Sequence, residues 1–273
     1  MRRTDPIHLQ QAFDQEALSY DTVWNQDPVA MAMRQAVWNH AHRVFPAHGH
    51  ILDIGCGVGV DAEWLIRTGR QVTAIDQSPK MIEATRARCA TIDARVLRLE
   101  ALDTLDNVAR LDGVLMNFGV INCADLAQIS AALARVLPYN TPIVIVSMPR
   151  IPPSWLLYQL SRGHVRKTLK RLRANIRLRV GTDWVRTQYL GTHEIRKHFE
   201  PWFTVAHREG LGFMLPPPGT GTPEVVEFLT TIERPLRALP GFRRVGDHLL
   251  ISLRRTRVSS PRRQLPRPVE SSP

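Results

Sequence analysis

Cysteine is scarce in this chain, and the three present (Cys56, Cys89 and Cys123) form an odd number with no paired ligand spacing. That argues against a disulfide framework and against a cysteine zinc site, leaving small buried apolar groups as their expected role. No stretch approaches the roughly 18 uncharged apolar residues of a membrane span. The start, M-R-R-T-D-P, also lacks the apolar run of a signal peptide, so a cytoplasmic location is the default expectation. Internal repeats are absent as well. What remains is the composition of a globular chain of 273 residues, long enough to bury a substantial core as one large domain or one domain with insertions.

Charge is unevenly spread. Residues 149–190 hold ten Arg or Lys against Asp183 alone, and residues 256–273 hold four Arg against Glu270, so these two segments account for the net +11. The rest of the chain is near neutral. A basic segment attracts an anionic membrane, an acidic substrate or nucleic acid, or serves only as a solvated face. Nucleic acid is disfavoured here because aromatic side chains do not alternate with the basic ones as a base-stacking surface requires.

The centre of the chain is His50 to Trp64, H-I-L-D-I-G-C-G-V-G-V-D-A-E-W. A short apolar run (Ile51, Leu52, Ile54) leads into Gly55, Gly57 and Gly59, and a helical pattern follows. Strand, glycine turn and helix in that order form a cofactor-binding turn, because a residue without Cβ lets a ligand approach the main chain closely. A dinucleotide fingerprint would need a glycine at position 60, where this chain has Val60, which weakens a nicotinamide reading. The run Asp53-Ile54-Gly55-Cys56-Gly57-Val58-Gly59 instead resembles the first motif of the class I S-adenosylmethionine (SAM) methyltransferases. A carboxylate beside the turn suits the cationic SAM better than it would suit a phosphate.

The order of elements agrees with that resemblance. Gln71 to Asp76 reads as an apolar strand ending in an acid, followed by Gln77 and by Ser78-Pro79, which open a helix as N-cap and first helical residue. A carboxylate at this distance from the glycines is placed to accept hydrogen bonds from ribose hydroxyls. Strands are also expected at 94–99, 111–116, 142–148, 203–215 and 247–253, with helices at 125–136 and 192–199. The resulting expectation is an α/β fold: a seven-stranded, mostly parallel, Rossmann-like sheet with helices on both faces and an antiparallel last strand. Residues 1–48 form N-terminal capping helices and 49–255 the SAM-binding domain. A basic lid insertion at 149–190, a second insertion at 216–246 and a disordered tail at 256–273 complete the layout.

The resemblance implies SAM as cofactor and a site made of Asp53, Gly55, Cys56 and Gly57 on the turn, Asp76 and Gln77 at the ribose, and Met81 against the adenine. It also implies Glu100 and Ala101 at the adenine edge, and Asn117 and Phe118 along the methionine end. The wording Phe13-Asp14…Ala17…Tyr20-Asp21 looks like the segment that precedes the glycine motif in small-molecule methyltransferases, which brings Tyr20 to cofactor or substrate. The loop after the fourth strand lacks the N-P-P-Y pattern of enzymes that methylate nucleobase amines or glutamine, which favours a small-molecule acceptor with an oxygen, nitrogen or carbon nucleophile. Tyr20, Asn122 and His193 are conceivable contacts for a reacting hydroxyl, but no pair at diagnostic spacing marks a base. Residues 155–179, with leucines between arginines and lysines, read as a basic amphipathic segment that covers the acceptor, meets an anionic membrane surface or faces solvent. A SAM-binding protein without methyl transfer and a peripheral membrane-binding protein built around the basic segment are the rivals of other classes; contact with a bilayer would favour a lipid or isoprenoid acceptor.

Overall fold

The computed structural model describes residues 6–17, 20, 24–105, 111–150, 152–166, 175–180 and 182–257. Two helices lead the chain, α1 (Pro6–Glu16) and α2 (Pro28–Val44). Alternation then follows: β1 (His50–Ile54), α3 (Val60–Arg67), β2 (Gln71–Asp76), α4 (Pro79–Arg88), β3 (Asp93–Val96), a 3-10 helix (Leu99–Thr104) and β4 (Gly113–Met116). Next come a short α5 (Val120–Cys123), α6 (Leu126–Val136), β5 (Pro142–Ser147), α7 (Pro153–Ser161), and the hairpin β6 (Asn175–Val180) and β7 (Asp183–Gln188). The described chain closes with α8 (Thr192–Phe199), β8 (Phe203–Leu211), α9 (Pro223–Glu233), a 3-10 turn (Phe242–Arg244) and β9 (His248–Arg255).

The main sheet has seven strands in the order β3-β2-β1-β4-β5-β9-β8. β1 runs parallel to β2 and β4, while β9 is antiparallel to both β5 and β8. The chain therefore changes direction of winding between β1 and β4, and in open α/β sheets ligands bind outside the carboxyl ends of the strands at such a switch point. Alternate side chains along the strands go to opposite layers. Leu52, Ile54, Val114, Met116, Ile143 and Ile145 join α6 and α8 in one core, and Ile51, Leu115, Val144 and Val146 join α2 and α3 in the other.

Local chemistry explains the helix starts. Ser78 caps α4 by accepting from the Met81 N–H at 3.1 Å, with Pro79 at the first helical position. Asp27 caps α2 through the Ala30 N–H at 2.8 Å, and its other oxygen accepts from the Gly219 N–H at 2.6 Å.

Several boundaries differ from the sequence reading. The third strand ends at Val96 rather than Leu99: as the edge strand it has only β2 beside it, and its last residues turn into the 3-10 helix. The sixth core strand stops at Leu211 because Gly212 takes φ +69°, a left-handed conformation that ends the extended chain. In the basic segment the helix ends at Ser161, and Gly163 follows at φ +72°. Residues 167–174 and the 258–273 part of the expected tail lie outside the described residues. The hairpin expected on either side of Gly181-Thr182 is present as a separate two-stranded sheet.

Candidate active site

The glycine turn is tied to the end of β2 by the main chain. The Gly55 and Cys56 N–H groups both donate to the Ile75 carbonyl, at 2.7 and 3.1 Å. Asp76 takes the next two donors: its Oδ2 accepts from the Gly57 N–H at 3.1 Å and its Oδ1 from the Ser78 N–H at 2.9 Å. Gly55 sits at φ +67°, and a Cβ there would lie 2.4 Å from Val120 Cγ2, so no larger residue fits. Gly57, at φ +55°, differs: a Cβ would meet nothing within 4 Å, so the turn presents bare main chain to open space at this point.

Acidic groups crowd this turn. Asp53 is 1% exposed, and its Oδ2 has no hydrogen-bond partner. Burial, with Asp61 and Asp76 nearby, holds its carboxyl well above the ordinary range. Burial also pushes Asp76 up to about 6, against the pull of its backbone donors. Asp61, at the start of α3, is the hub of a buried network: it accepts from Arg34 Nη1 at 3.1 Å, Trp38 Nε1 at 2.7 Å and Asn117 Nδ2 at 3.0 Å. The Arg34 guanidinium lies 5.3 Å from the centre of the Phe118 ring. Three carboxylates thus face one guanidinium, an excess of acid that favours a cationic ligand.

The capping segment reaches the same place. Asp14 on α1 accepts from the Ser78 hydroxyl at 2.5 Å and from the Lys80 N–H at 3.3 Å, fixing α1 across the loop after β2. Gln15 accepts from the Thr182 N–H at 3.1 Å, which joins α1 to the β6–β7 hairpin. Tyr20 is half-buried, and desolvation raises its hydroxyl pKa, with Arg34, Asp61, Asp76 and Glu16 the charges that act on it.

The expected residues therefore separate into groups. Tyr20, Asp53, Gly55, Cys56, Gly57, Asp76, Asn117 and Phe118 converge at the carboxyl ends of β1, β2 and β4, with Gln77 half-buried beside Asp76. Met81 is 1% exposed in the first turn of α4. Glu100 is exposed in the 3-10 helix, and the Ala101 N–H already donates to the Arg98 carbonyl at 2.9 Å. Asn122 has its polar atoms engaged: Nδ2 donates to the Met148 and Gln188 carbonyls at 3.0 and 2.8 Å, and Oδ1 accepts from the Met148 N–H at 3.0 Å. It is a structural tie between the loop after β4, the end of β5 and β7. His193 is exposed on α8, a helix packed on α6.

Arg34, Trp38, Asp61 and Asp14 were not anticipated. One signal for Arg34 was available: it falls among Ala30, Met33, Val37 and Ala41 on the buried stripe of α2, where a lone arginine needs a buried acid. His248 was also missed. It opens β9, beside the end of β5, with its ring edge-on to Phe118 at 5.1 Å and its Nδ1 3.1 Å from Asp247 Oδ2.

The buried Asp53 carries a prediction of its own. A carboxyl whose folded pKa is raised binds more protons folded than unfolded, so its contribution makes stability fall as pH rises from about 4 through the raised value. Asp76 acts in the same sense between about 4 and about 6. In thermal unfolding of the ligand-free protein, Asp53→Asn should therefore be the more stable form at pH 8 and should show a flatter pH dependence. Identical pH slopes for the two proteins would remove Asp53 as the cause.

This sheet order, with an acid and a glycine turn at the switch point, defines the class I methyltransferase fold. The comparisons with known proteins agree. A family described as "Methyltransferase domain" matches residues 51–139. The demethylmenaquinone methyltransferase of Tropheryma whipplei (strain Twist) is 28% identical over 214 residues, 76% of this chain and 81% of that protein. The ubiquinone biosynthesis O-methyltransferase of Xanthomonas oryzae pv. oryzae (strain PXO99A) is 26% identical over 165 residues, 57% of this chain and 69% of that one. Among solved structures, the N-methyltransferase NodS of Bradyrhizobium japonicum with S-adenosylhomocysteine shares the fold at TM-score 0.55, with 14% identity and 91% and 98% of the two chains covered. The 1,6-didemethyltoxoflavin-N1-methyltransferase of Burkholderia thailandensis does so at TM-score 0.53, with 18% identity and 94% and 93% covered. The fold is that of the class I SAM-dependent methyltransferases, and residues 51–139 match the methyltransferase domain.

Proposed function

We propose that this enzyme holds SAM across the carboxyl ends of β1, β2 and β4 and methylates a small-molecule acceptor of the quinone or phenol type. The observation that carries the cofactor reading is the set of buried carboxylates around a turn whose Gly57 faces open space. Asp76 is the ribose acceptor: the Gly57 and Ser78 N–H groups fix its two oxygens, the Gln77 N–H adds to them, and a carboxylate's roughly four acceptor positions leave room for a ribose hydroxyl. The orphan Oδ2 of Asp53 and the surplus acid of the site suit the ammonium and sulfonium charges. Tyr20, Gln77, Asn117 and Phe118 line the ribose and methionyl portion, Cys56 belongs to the turn, and Met81, Glu100 and Ala101 flank the adenine. When bound, SAM supplies an activated methyl group. The protein then has to align the nucleophile with it, exclude water and, for a hydroxyl acceptor, take a proton. His248, packed edge-on against Phe118, is the group we assign to that proton.

The acceptor class rests on the two relatives above, one named for demethylmenaquinone and the other for ubiquinone biosynthesis. Incubation with labelled SAM and a hydroxylated naphthoquinone or benzoquinone should yield labelled product. His248→Ala should lower kcat for a hydroxyl acceptor while leaving SAM affinity unchanged. SAM binding without transfer to any acceptor would return the chain to the non-catalytic reading.

A second observation favours action at an anionic membrane surface. No helix among the described residues is long and apolar enough to cross a membrane. Leu157, Leu160, Val165 and Trp184 are nonetheless exposed in the segment after β5, near Arg162 and Arg166. Apolar side chains flanked by arginine suit the headgroup boundary. The protein should sediment with liposomes containing phosphatidylglycerol, and a variant with Arg162, Arg166 and the 167–179 cations changed to alanine should not. Undiminished binding by the variant, or none by the wild type, contradicts this reading.

A further inference from the structure

Three ligand-type side chains outside the cofactor crevice come together among the described residues: His40 on α2, and His207 and Glu209 on β8. Each offers one ligand atom, and these atoms lie within 4.8 Å of one another. We propose that they form a Zn2+ site that fastens the capping helix α2 to the edge strand of the sheet.

The backbone builds the cluster. The register of β8 against β9 shifts between Val205 and His207, a bulge of the kind that re-aims a side chain. His207 and Glu209, two residues apart, then share one face of the strand. His207 Nε2 is 2.7 Å from Glu209 Oε1, and the His40 ring stacks on the His207 ring with centroids 4.6 Å apart and planes 18° apart. His40 is 3% exposed, and its Nε2 has no hydrogen-bond partner. A buried imidazole nitrogen without a partner is costly, and a metal ion supplies what it lacks. Two imidazoles and one carboxylate are a common zinc donor set, with a fourth position left for water. Bonds of about 2.0–2.2 Å at tetrahedral angles set ligand atoms roughly 3.4 Å apart, so His207 Nε2 and Glu209 Oε1, now at 2.7 Å, open to admit the ion while the His40 ring rotates out of its stack to complete the set.

The surrounding charge sets the expected strength. Arg43 on α2 reaches Glu209 at 3.9 Å but is largely exposed, and Arg237 is the other cation acting on Glu209. Both weaken attraction for a dication, so the affinity should be moderate. His40 lies less than two turns beyond Arg34 on α2, so a metal here would hold in place the helix that delivers Arg34 to Asp61.

The test uses the full chain stripped of metal with a chelator. One equivalent of Zn2+ should bind with micromolar affinity by calorimetry and should raise the unfolding midpoint. Co2+ in its place should show a visible d–d spectrum without a thiolate charge-transfer band. His207→Gln and Glu209→Gln should each weaken Zn2+ binding by about tenfold or more. SAM affinity, measured in the same samples, should stay at the wild-type value and so report an intact fold. His40→Asn should abolish the rise in midpoint. Failure of the wild type to bind Zn2+, wild-type binding by the variants, or a thiolate band that places the ion on Cys56, Cys89 or Cys123 would each overturn the proposal.

Discussion

Asp61→Ala is expected to lower the unfolding midpoint by on the order of 10 °C. The substitution removes the one carboxylate paired with the guanidinium of the buried Arg34 at hydrogen-bond distance. Removing one partner of a buried pair costs about 3–5 kcal/mol. Each kcal/mol moves the midpoint of a chain of this size by roughly 2–4 °C. Trp38 Nε1 and Asn117 Nδ2 lose their acceptor at the same time. Replacing both charged partners, as in Arg34→Met with Asp61→Leu, should recover much of the loss, because the unpaired charge is then gone. Differential scanning calorimetry on the three proteins decides the matter: a drop of less than about 1 kcal/mol for the single variant would mean that solvent already relieves Arg34.

Asp76→Ala should weaken SAM and S-adenosylhomocysteine binding about thirtyfold, on the order of 2 kcal/mol, as measured by titration calorimetry. The loss combines two ribose hydrogen bonds with a looser glycine turn, since the Gly57 and Ser78 N–H groups also lose their acceptor. The pH dependence separates the two causes. Asp76 titrates at about 6 in the ligand-free protein and must be ionised to accept from both hydroxyls. Wild-type affinity should therefore fall as pH drops below about 6 and level off above it. Asp76→Ala should lack that inflection. An unchanged affinity in the variant would move the ribose to another residue and dissolve the cofactor placement above.

Much of this site could be read from the chain because local sequence forms it. Gly55, Gly57 and Gly59 adopt positive φ in the turn, and Asp76 stands where the strand pairing of β1 with β2 carries it to the Gly57 N–H. The Ser78 cap was equally plain, since its hydrogen bond spans three residues. The less readable parts depend on contacts between distant segments. Nothing near Arg34 in sequence announces Asp61 as its partner, and nothing near Asn122 announces the Gln188 carbonyl that occupies its amide. His193, a conceivable contact from the sequence, is instead exposed on α8, the helix that packs on α6.

Sequence alone determined the order of strands and helices, the glycine turn and the acids at strand ends, because these follow from residue spacing and from backbone preferences that act within a few residues. Tertiary structure decided which polar side chains remain available. Packing α2 over the crevice turned Arg34 and Asp61 into a buried pair, folding β9 beside β5 brought His248 to Phe118, and the bulge in β8 set His207 and Glu209 against His40. Burial and partnership depend on which segments meet, and the segments that meet here are far apart along the chain.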